Sequence, residues 1–208
     1  MPDFLPQSAE GCHIAKHLGY YEQPLQQFIE ETINLAYLTI LNIGYAEGYY
    51  AVGMARRMPN TQVLAFDLNL NAQEVCTALA QKNSVADRVK VGALFKTEDF
   101  ANYANQKVLV LCDIEGAEKD LLDPEISPAL KGMDLIVESH ECLIAGITQT
   151  LINRFKGSHQ ITLVQDNGQR QLKDAPQWFN NLAHLDQLLA TWEWRSGETP
   201  WLVMKANS

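Results

Sequence analysis

The side chains best suited to do chemistry fall in two short acidic stretches. Cys112-Asp113-Ile114-Glu115-Gly116-Ala117-Glu118 puts three carboxylates directly after an apolar run, and Val137-Glu138-Ser139-His140-Glu141 puts an imidazole among carboxylates after another. The first is not a core sequence, because charged groups are almost never fully buried unless paired. A histidine within hydrogen-bond reach of an acceptor hydroxyl can serve as a general base. Glu138 and His140 share one face of an extended segment, since side chains alternate there with period two. His140 is therefore the candidate catalytic base, with Asp113 or Glu138 orienting it. A lone strand-end histidine is more often structural, and the role requires that Asp113 lie across a crevice from it. The same Asp113, Glu138 and His140 form an alternative cation set, because mixed carboxylate and imidazole ligands suit several metals. A divalent cation is not favoured, and no metal ligand is assigned. A Ser139/His140/Asp113 hydrolase triad lacks the G-x-S-x-G turn that would present Ser139. Glu118 reads as an acid in the first turn of a helix, favoured by the macrodipole.

A second group could bind rather than react. Asn42-Ile43-Gly44-Tyr45-Ala46-Glu47-Gly48-Tyr49-Tyr50 ends an apolar run in small residues and turns into a helical pattern. Such a turn lets backbone N–H groups approach a ligand closely. A dinucleotide would call for G-x-G-x-x-G. Here the small residues are Gly44, Ala46 and Gly48, and Tyr49 stands where the last glycine should be. That spacing favours an adenosyl sulfonium over a dinucleotide; the alternative is a glycine turn with no ligand. Asp67 follows about twenty residues later at the end of the next strand, where nucleoside-binding α/β folds place an acid against the ribose hydroxyls. It would otherwise be a solvated aspartate or a helix N-cap.

These residues must be held by regular elements. Short β-branched runs alternate with helical periodicity, which implies βαβ units and a parallel sheet. Strands are expected at 37–44, 62–68, 88–94, 107–116, 134–141, 159–165 and 200–206. Helices are expected from Tyr21 to Ala36, Tyr49 to Met58, Asn71 to Lys82, briefly at EKDLLDP, and around Leu143, Ile147, Leu151 and Phe155. A last helix should turn Trp178, Leu182, Leu185 and Leu189 inward. Seven strands without repeat, linker or low-complexity tract read as one domain over residues 1–208. In such a sheet ligands bind outside the carboxyl ends of the strands, where all the candidate residues lie.

Composition narrows the function classes. Hydrophobic residues are 47% and charged residues 20%, an ordinary globular balance. No apolar run approaches the ~20 residues of a membrane span, and the first residues do not read as a secretory signal. A formal charge of −9 argues against nucleic-acid backbone binding. Cys12, Cys76, Cys112 and Cys142 are scattered, which reads as reduced thiols in a cytoplasmic protein. Cys112 as a nucleophile is the weaker alternative to a buried cysteine.

The glycine turn into Tyr49-Tyr50, DIEGAE at 113–118 and ESHE at 138–141 together resemble the FkbM-type S-adenosylmethionine-dependent methyltransferases, from about Thr39 to Val164. The resemblance implies a Rossmann-like α/β fold: seven strands, mostly parallel with the last antiparallel, and helices on both faces. It also implies S-adenosyl-L-methionine as cofactor and methyl transfer to oxygen of a small-molecule or sugar-like acceptor. By the same resemblance, Asn42, Gly44, Ala46 and Gly48 would surround the methionine part, Asp67 the ribose, and Asp113 the transferring methyl. The family's leading aspartate is Asn42 here, and its Gly-Ala-Asn run reads Gly44-Tyr45-Ala46-Glu47. Two other readings remain: a non-catalytic methyltransferase-like binding protein, and an NAD-dependent oxidoreductase. Trp178, Trp192 and Trp194 either line an acceptor pocket or serve as core or interface residues. The sequence is silent on oligomeric state.

Overall fold

The computed structural model describes residues 12–166, 168, 170, 172 and 174–207. The helices are α1 (His13–Leu18), α2 (Gln26–Ile33), α3 (Tyr49–Arg57), α4 (Leu70–Lys82), α5 (Glu118–Leu121), α6 (Ile147–Phe155), α7 (Gln177–Asn180) and α8 (His184–Thr191). The strands are β1 (Thr39–Ile43), β2 (Gln62–Phe66), β3 (Val89–Gly92), β4 (Val108–Cys112), β5 (Asp134–Glu138), β6 (His159–Val164) and β7 (Trp201–Ala206).

The seven strands form one sheet in the order β3-β2-β1-β4-β5-β7-β6. β1 to β5 pair in parallel, and β7 lies antiparallel between β5 and β6. Each strand expected from its apolar run is present. The sheet divides two cores by the alternation of its side chains. Ile40, Leu109, Leu111 and Ile136 face α2, α3 and α4, whereas Leu41, Val110, Leu135 and Val137 face Leu151 and Phe155 of α6. Central β1 and β4 are buried at every position, as strands covered on both faces must be. No helix among the described residues is long and apolar enough to cross a membrane.

Three helix expectations need correction. The opening helix does not run from Tyr21 to Ala36: a 3-10 turn at Gln23–Leu25 precedes α2, and α2 stops at Ile33. Pro24 restrains the residue before it, and Glu22 sits at φ 49°. The helix after β5 begins at Ile147, because Gly146 takes φ 79° and breaks the turn from Leu143. The last helical region does not bury its stripe. Trp178, Leu185 and Leu189 are 52%, 66% and 62% exposed. An apolar stripe records that a face is amphipathic, but not what, if anything, covers it.

Candidate active site

The glycine turn is shaped by what presses against it. After β1, Gly44, Ala46 and Gly48 all have positive φ, at 72°, 50° and 92°. A Cβ on Gly44 would stand 1.6 Å from the carbonyl oxygen of Asp113, so glycine here lets the ends of β1 and β4 meet. A Cβ on Gly48 would stand 2.6 Å from Cys76 Sγ on α4. Asp67 braces the same turn. Its Oδ2 accepts from the Ala46 N–H at 3.1 Å and its Oδ1 from the Asn69 N–H at 2.8 Å. The N-cap of α4 is Asn69, whose side chain accepts from Asn71 and Ala72. Each carboxylate oxygen of Asp67 carries two lone pairs, so both keep one for a ligand.

Asp67 and Asp113 open onto one crevice. Together with Gly44, Phe66, Leu94 and Phe95 they line a cavity of about 600 Å³ at the carboxyl ends of β1, β2 and β4. Asn42 is 2% exposed, its Nδ2 reaches the Leu111 carbonyl at 3.5 Å, and its Oδ1 is buried without a hydrogen-bond partner.

His140 lies beside Asp113, but the acid that holds it is neither Asp113 nor Glu138. Its Nδ1 is 2.9 Å from Glu118 Oε1, the same oxygen that accepts from the Ile114 N–H at 2.8 Å. Its Nε2 faces Asp113 Oδ1 and Glu115 Oε2, each at 3.4 Å. Glu118 is fully buried with Oε2 unpartnered. Glu118 opens α5 as its first-turn acid, as expected, and its burial against His140 is what the sequence did not show. Burial works against charge on the imidazole. The hydrogen bond and charge of Glu118, with Glu138 and Glu115, outweigh it and raise the His140 pKa above its ordinary value. The Ser139 hydroxyl bonds Thr148 Oγ1 at 2.7 Å. Cys112 is fully buried and its thiol pKa is pushed well up by desolvation, which suits a core residue rather than a nucleophile.

Glu138 turns instead to Arg195, which is also 3.5 Å from Glu22, 3.4 Å from Glu193 and 3.6 Å from Asp166. Arg170 bonds Asp166 at 2.8 Å and Glu193 at 2.6 Å within the same buried network. Two guanidinium groups thus meet Glu22, Glu138, Asp166 and Glu193. Arg195 and Glu22 carried no local signal, because both meet Glu138 and its neighbours only through the fold, Arg195 from 57 residues away. The expected cation set regroups accordingly. Ligand atoms of Asp113, Glu115 and His140 lie within 4.8 Å of one another, as do those of Glu22, Asp113 and Glu138. Tyr21, Asp113, Glu138, His140, Trp194 and Arg195 line a second cavity of about 300 Å³. Of the three tryptophans considered, Trp194 is the one on it; Trp178 and Trp192 are 52% and 43% exposed.

A pH dependence follows from this crowding. Burial first, and then the Glu138 carboxylate, push Glu22 up to about 8 despite Arg195 and the Tyr50 hydroxyl. Glu22 and His140 both hold protons more tightly folded than unfolded, so the folded chain binds more protons above pH ~6.5 and stability falls as pH rises. The thermal midpoint is expected to drop between pH ~6.5 and ~8. Glu22→Gln, with nothing to titrate, should flatten that slope. A midpoint that stays level or rises across the window in the parent would exclude both assignments.

No family model matches the chain. A bifunctional methyltransferase of Rickettsia conorii is 32% identical over 79 residues, 38% of this chain and 14% of the relative. A release factor glutamine methyltransferase of Rhodopirellula baltica is 26% identical over 160 residues, 62% of this chain and 53% of the relative. The chain therefore matches at most about half the length of these relatives. A putative O-methyltransferase of Klebsiella pneumoniae superposes with TM-score 0.60 at 13% identity, over 95% of this chain and 88% of that one. The O-methyltransferase TomG of Streptomyces achromogenes, crystallised with S-adenosylmethionine, gives 0.58 at 13% identity over 95% and 87%. That of Bacillus cereus, crystallised with S-adenosylhomocysteine, gives 0.56 at 13% identity over 90% and 81%. With strand order β3-β2-β1-β4-β5-β7-β6 and β7 reversed, the chain has the Rossmann-like fold of the methyltransferases.

Proposed function

We propose that this chain is an S-adenosylmethionine-dependent methyltransferase acting on a hydroxyl of a small-molecule or sugar-like acceptor in the cytoplasm. One observation carries the reading: the brace residue Asp67, the Gly44 turn and Asp113 line a single crevice at the strand ends. One feature fits the cofactor. The buried Asn42 Oδ1 offers an acceptor with no partner of its own. In this reading Asp67 takes the ribose hydroxyls, Gly44, Ala46 and Gly48 surround the methionine part, and Asp113 borders the sulfur. The bound sulfonium supplies an activated methyl group. The protein's share is to align the acceptor oxygen with it and to take the proton.

His140 is the base of this proposal, held by Glu118 and facing the smaller cavity. That cavity is the acceptor site, walled by Tyr21 and Trp194. Oxygen as the acceptor atom is supported by neighbours described as O-methyltransferases. Four free cysteines support a reducing compartment.

The test is calorimetric titration with S-adenosylhomocysteine and, in parallel, with NAD. The parent chain should bind the first and not the second. Asp67→Ala should weaken binding roughly ten- to hundredfold, since a hydrogen bond to a charged group contributes about 1.5–3 kcal/mol. An unchanged dissociation constant would remove Asp67 from the site, and NAD binding would overturn the reading.

A further inference from the structure

A groove of about 560 Å³ lies between α2 and α3 and shares no lining residue with the 600 Å³ crevice. Each wall is one helix face. On α2 it is Gln26, Ile29, Glu30 and Ile33, at i, i+3, i+4 and i+7. On α3, Tyr49 and Tyr50 lie one turn before Gly53, and Arg56 and Arg57 one turn after it. Arg57 joins the walls through both oxygens of Glu30. Aromatic rings close one end: Tyr49 meets Tyr21 at 5.3 Å and Tyr50 at 5.1 Å between centroids, both edge to face. The guanidinium groups stand about 10 Å further along the helix, two turns on.

Gly53 makes the room in the middle. Glycine weakens a helix interior, yet nothing local demands it here. It takes no positive φ, and an added Cβ would meet nothing within 4 Å. What it leaves is space against the groove, beside Ile29, Ile33 and Met54. The charge of this lining is the reverse of the active site's. Its three charged side chains are two guanidinium groups and one carboxylate. The crevice sets Lys96 against five carboxylates, and the acceptor cavity sets Lys16, Arg195 and His140 against five. In a chain of formal charge −9, the α2–α3 groove is thus a place where an anion meets more cations than acids. Its volume falls in the range of small-molecule sites.

We propose that this groove is a second ligand site, for a small monocarboxylic acid with an aromatic body. The ring lies over Gly53 and meets the tyrosines edge to face. The carboxylate faces Arg56, whose planar guanidinium suits it, while Arg57 stays with Glu30. Tyr21 also walls the acceptor cavity, and the Tyr50 hydroxyl donates to Glu22 at 2.5 Å. The site therefore stands one side chain away from the methyl-transfer site without being part of it, and its occupancy does not depend on the cofactor reading.

The probes are 2-naphthoate and its neutral amide, 2-naphthamide, titrated by calorimetry into the parent, Gly53→Leu and Arg56→Met. The parent should bind the acid about three- to tenfold more tightly than the amide, the size of a charged contact at an open rim. Arg56→Met should bring the two ligands level. Gly53→Leu fills the groove and should abolish binding of both, with a thermal midpoint at or above the parent's, because leucine is the better helix former. Saturating S-adenosylhomocysteine should leave the naphthoate dissociation constant unchanged. The proposal is overturned by a parent that binds no naphthoate or takes acid and amide alike, by a folded Gly53→Leu that binds as the parent does, or by competition with S-adenosylhomocysteine. Arg56→Met keeps the test valid should Gly53→Leu disturb α3, and an unchanged preference for the acid in that variant also overturns the proposal. A parent that binds naphthoate but not S-adenosylhomocysteine overturns the cofactor reading and leaves this site standing.

Discussion

Gly44→Ala is expected to lower the thermal midpoint by about 8–16 °C and to abolish nucleoside binding. Two costs add at this position. A left-handed φ of 72° costs an L side chain about 1–2 kcal/mol. The added carbon would also stand 1.6 Å from Asp113 O and 2.6 Å from its carbonyl carbon, far inside contact distance. Neither neighbour is a flexible side-chain tip. The Asp113 N–H bonds Ile43 O at 2.9 Å and the Gly44 N–H bonds Phe66 O at 2.8 Å, so relief must open the sheet at its centre. Together these place the substitution in the rare class above about 4 kcal/mol, and a domain of this size moves about 2–4 °C per kcal/mol. Gly53→Ala is the control, because nothing lies within 4 Å of its added carbon and it sits inside α3. Alanine is the better helix former by about 1 kcal/mol, so that variant should match or exceed the parent. Differential scanning calorimetry reads both, and a Gly44→Ala midpoint within about 2 °C of the parent would refute the close-approach argument.

The second large effect concerns the proton. His140→Ala is expected to reduce methyl transfer to a hydroxyl acceptor by about 10²–10⁴, the usual contribution of a positioned base. The companion variant Glu118→Gln separates orientation from bulk. Glu118, hydrogen-bonded at 2.9 Å, is the foremost of the carboxylates that raise the His140 pKa against the cost of burial. The base form exists above that raised value, so the parent rate should climb with pH through a limb above the ordinary ~6.5 of histidine. Removing the Glu118 charge lowers the pKa, and the limb should move to lower pH. The measurement is kcat/KM against pH with labelled donor and whichever hydroxyl acceptor the parent methylates. Parent-like rates in His140→Ala, or a limb that Glu118→Gln leaves in place, would remove His140 from the proton path.

Local pattern was enough for much of this architecture. The β-branched runs marked all seven strands, because a strand buried on both faces must be apolar nearly throughout. Gly44, Ala46 and Gly48 were legible because a bend with positive φ tolerates little else, and Asp67 because it closes the next strand. The partners of the charged groups were not legible. His140 finds Glu118 rather than Glu138, and Glu138 finds Arg195. Lys16 reaches Glu47 from a helix that no periodicity announced. The exposed stripe of Leu185 and Leu189 misled for a related reason, since an amphipathic face does not name its neighbour.

What the amino-acid order determined by itself was the set of strands and the strand ends on which the candidate side chains would sit. Periodicity, β-branching and glycine act over a few residues, and each can be read where it stands. What the tertiary structure alone decided was which carboxylate answers which cation, and therefore which acid each histidine nitrogen faces and which acids stay buried. The His140–Glu118 and Arg195–Glu138 pairings, for instance, join residues 22 and 57 positions apart. They are set by the low dielectric of a closed interior, where a charge must find its opposite wherever the chain has folded it.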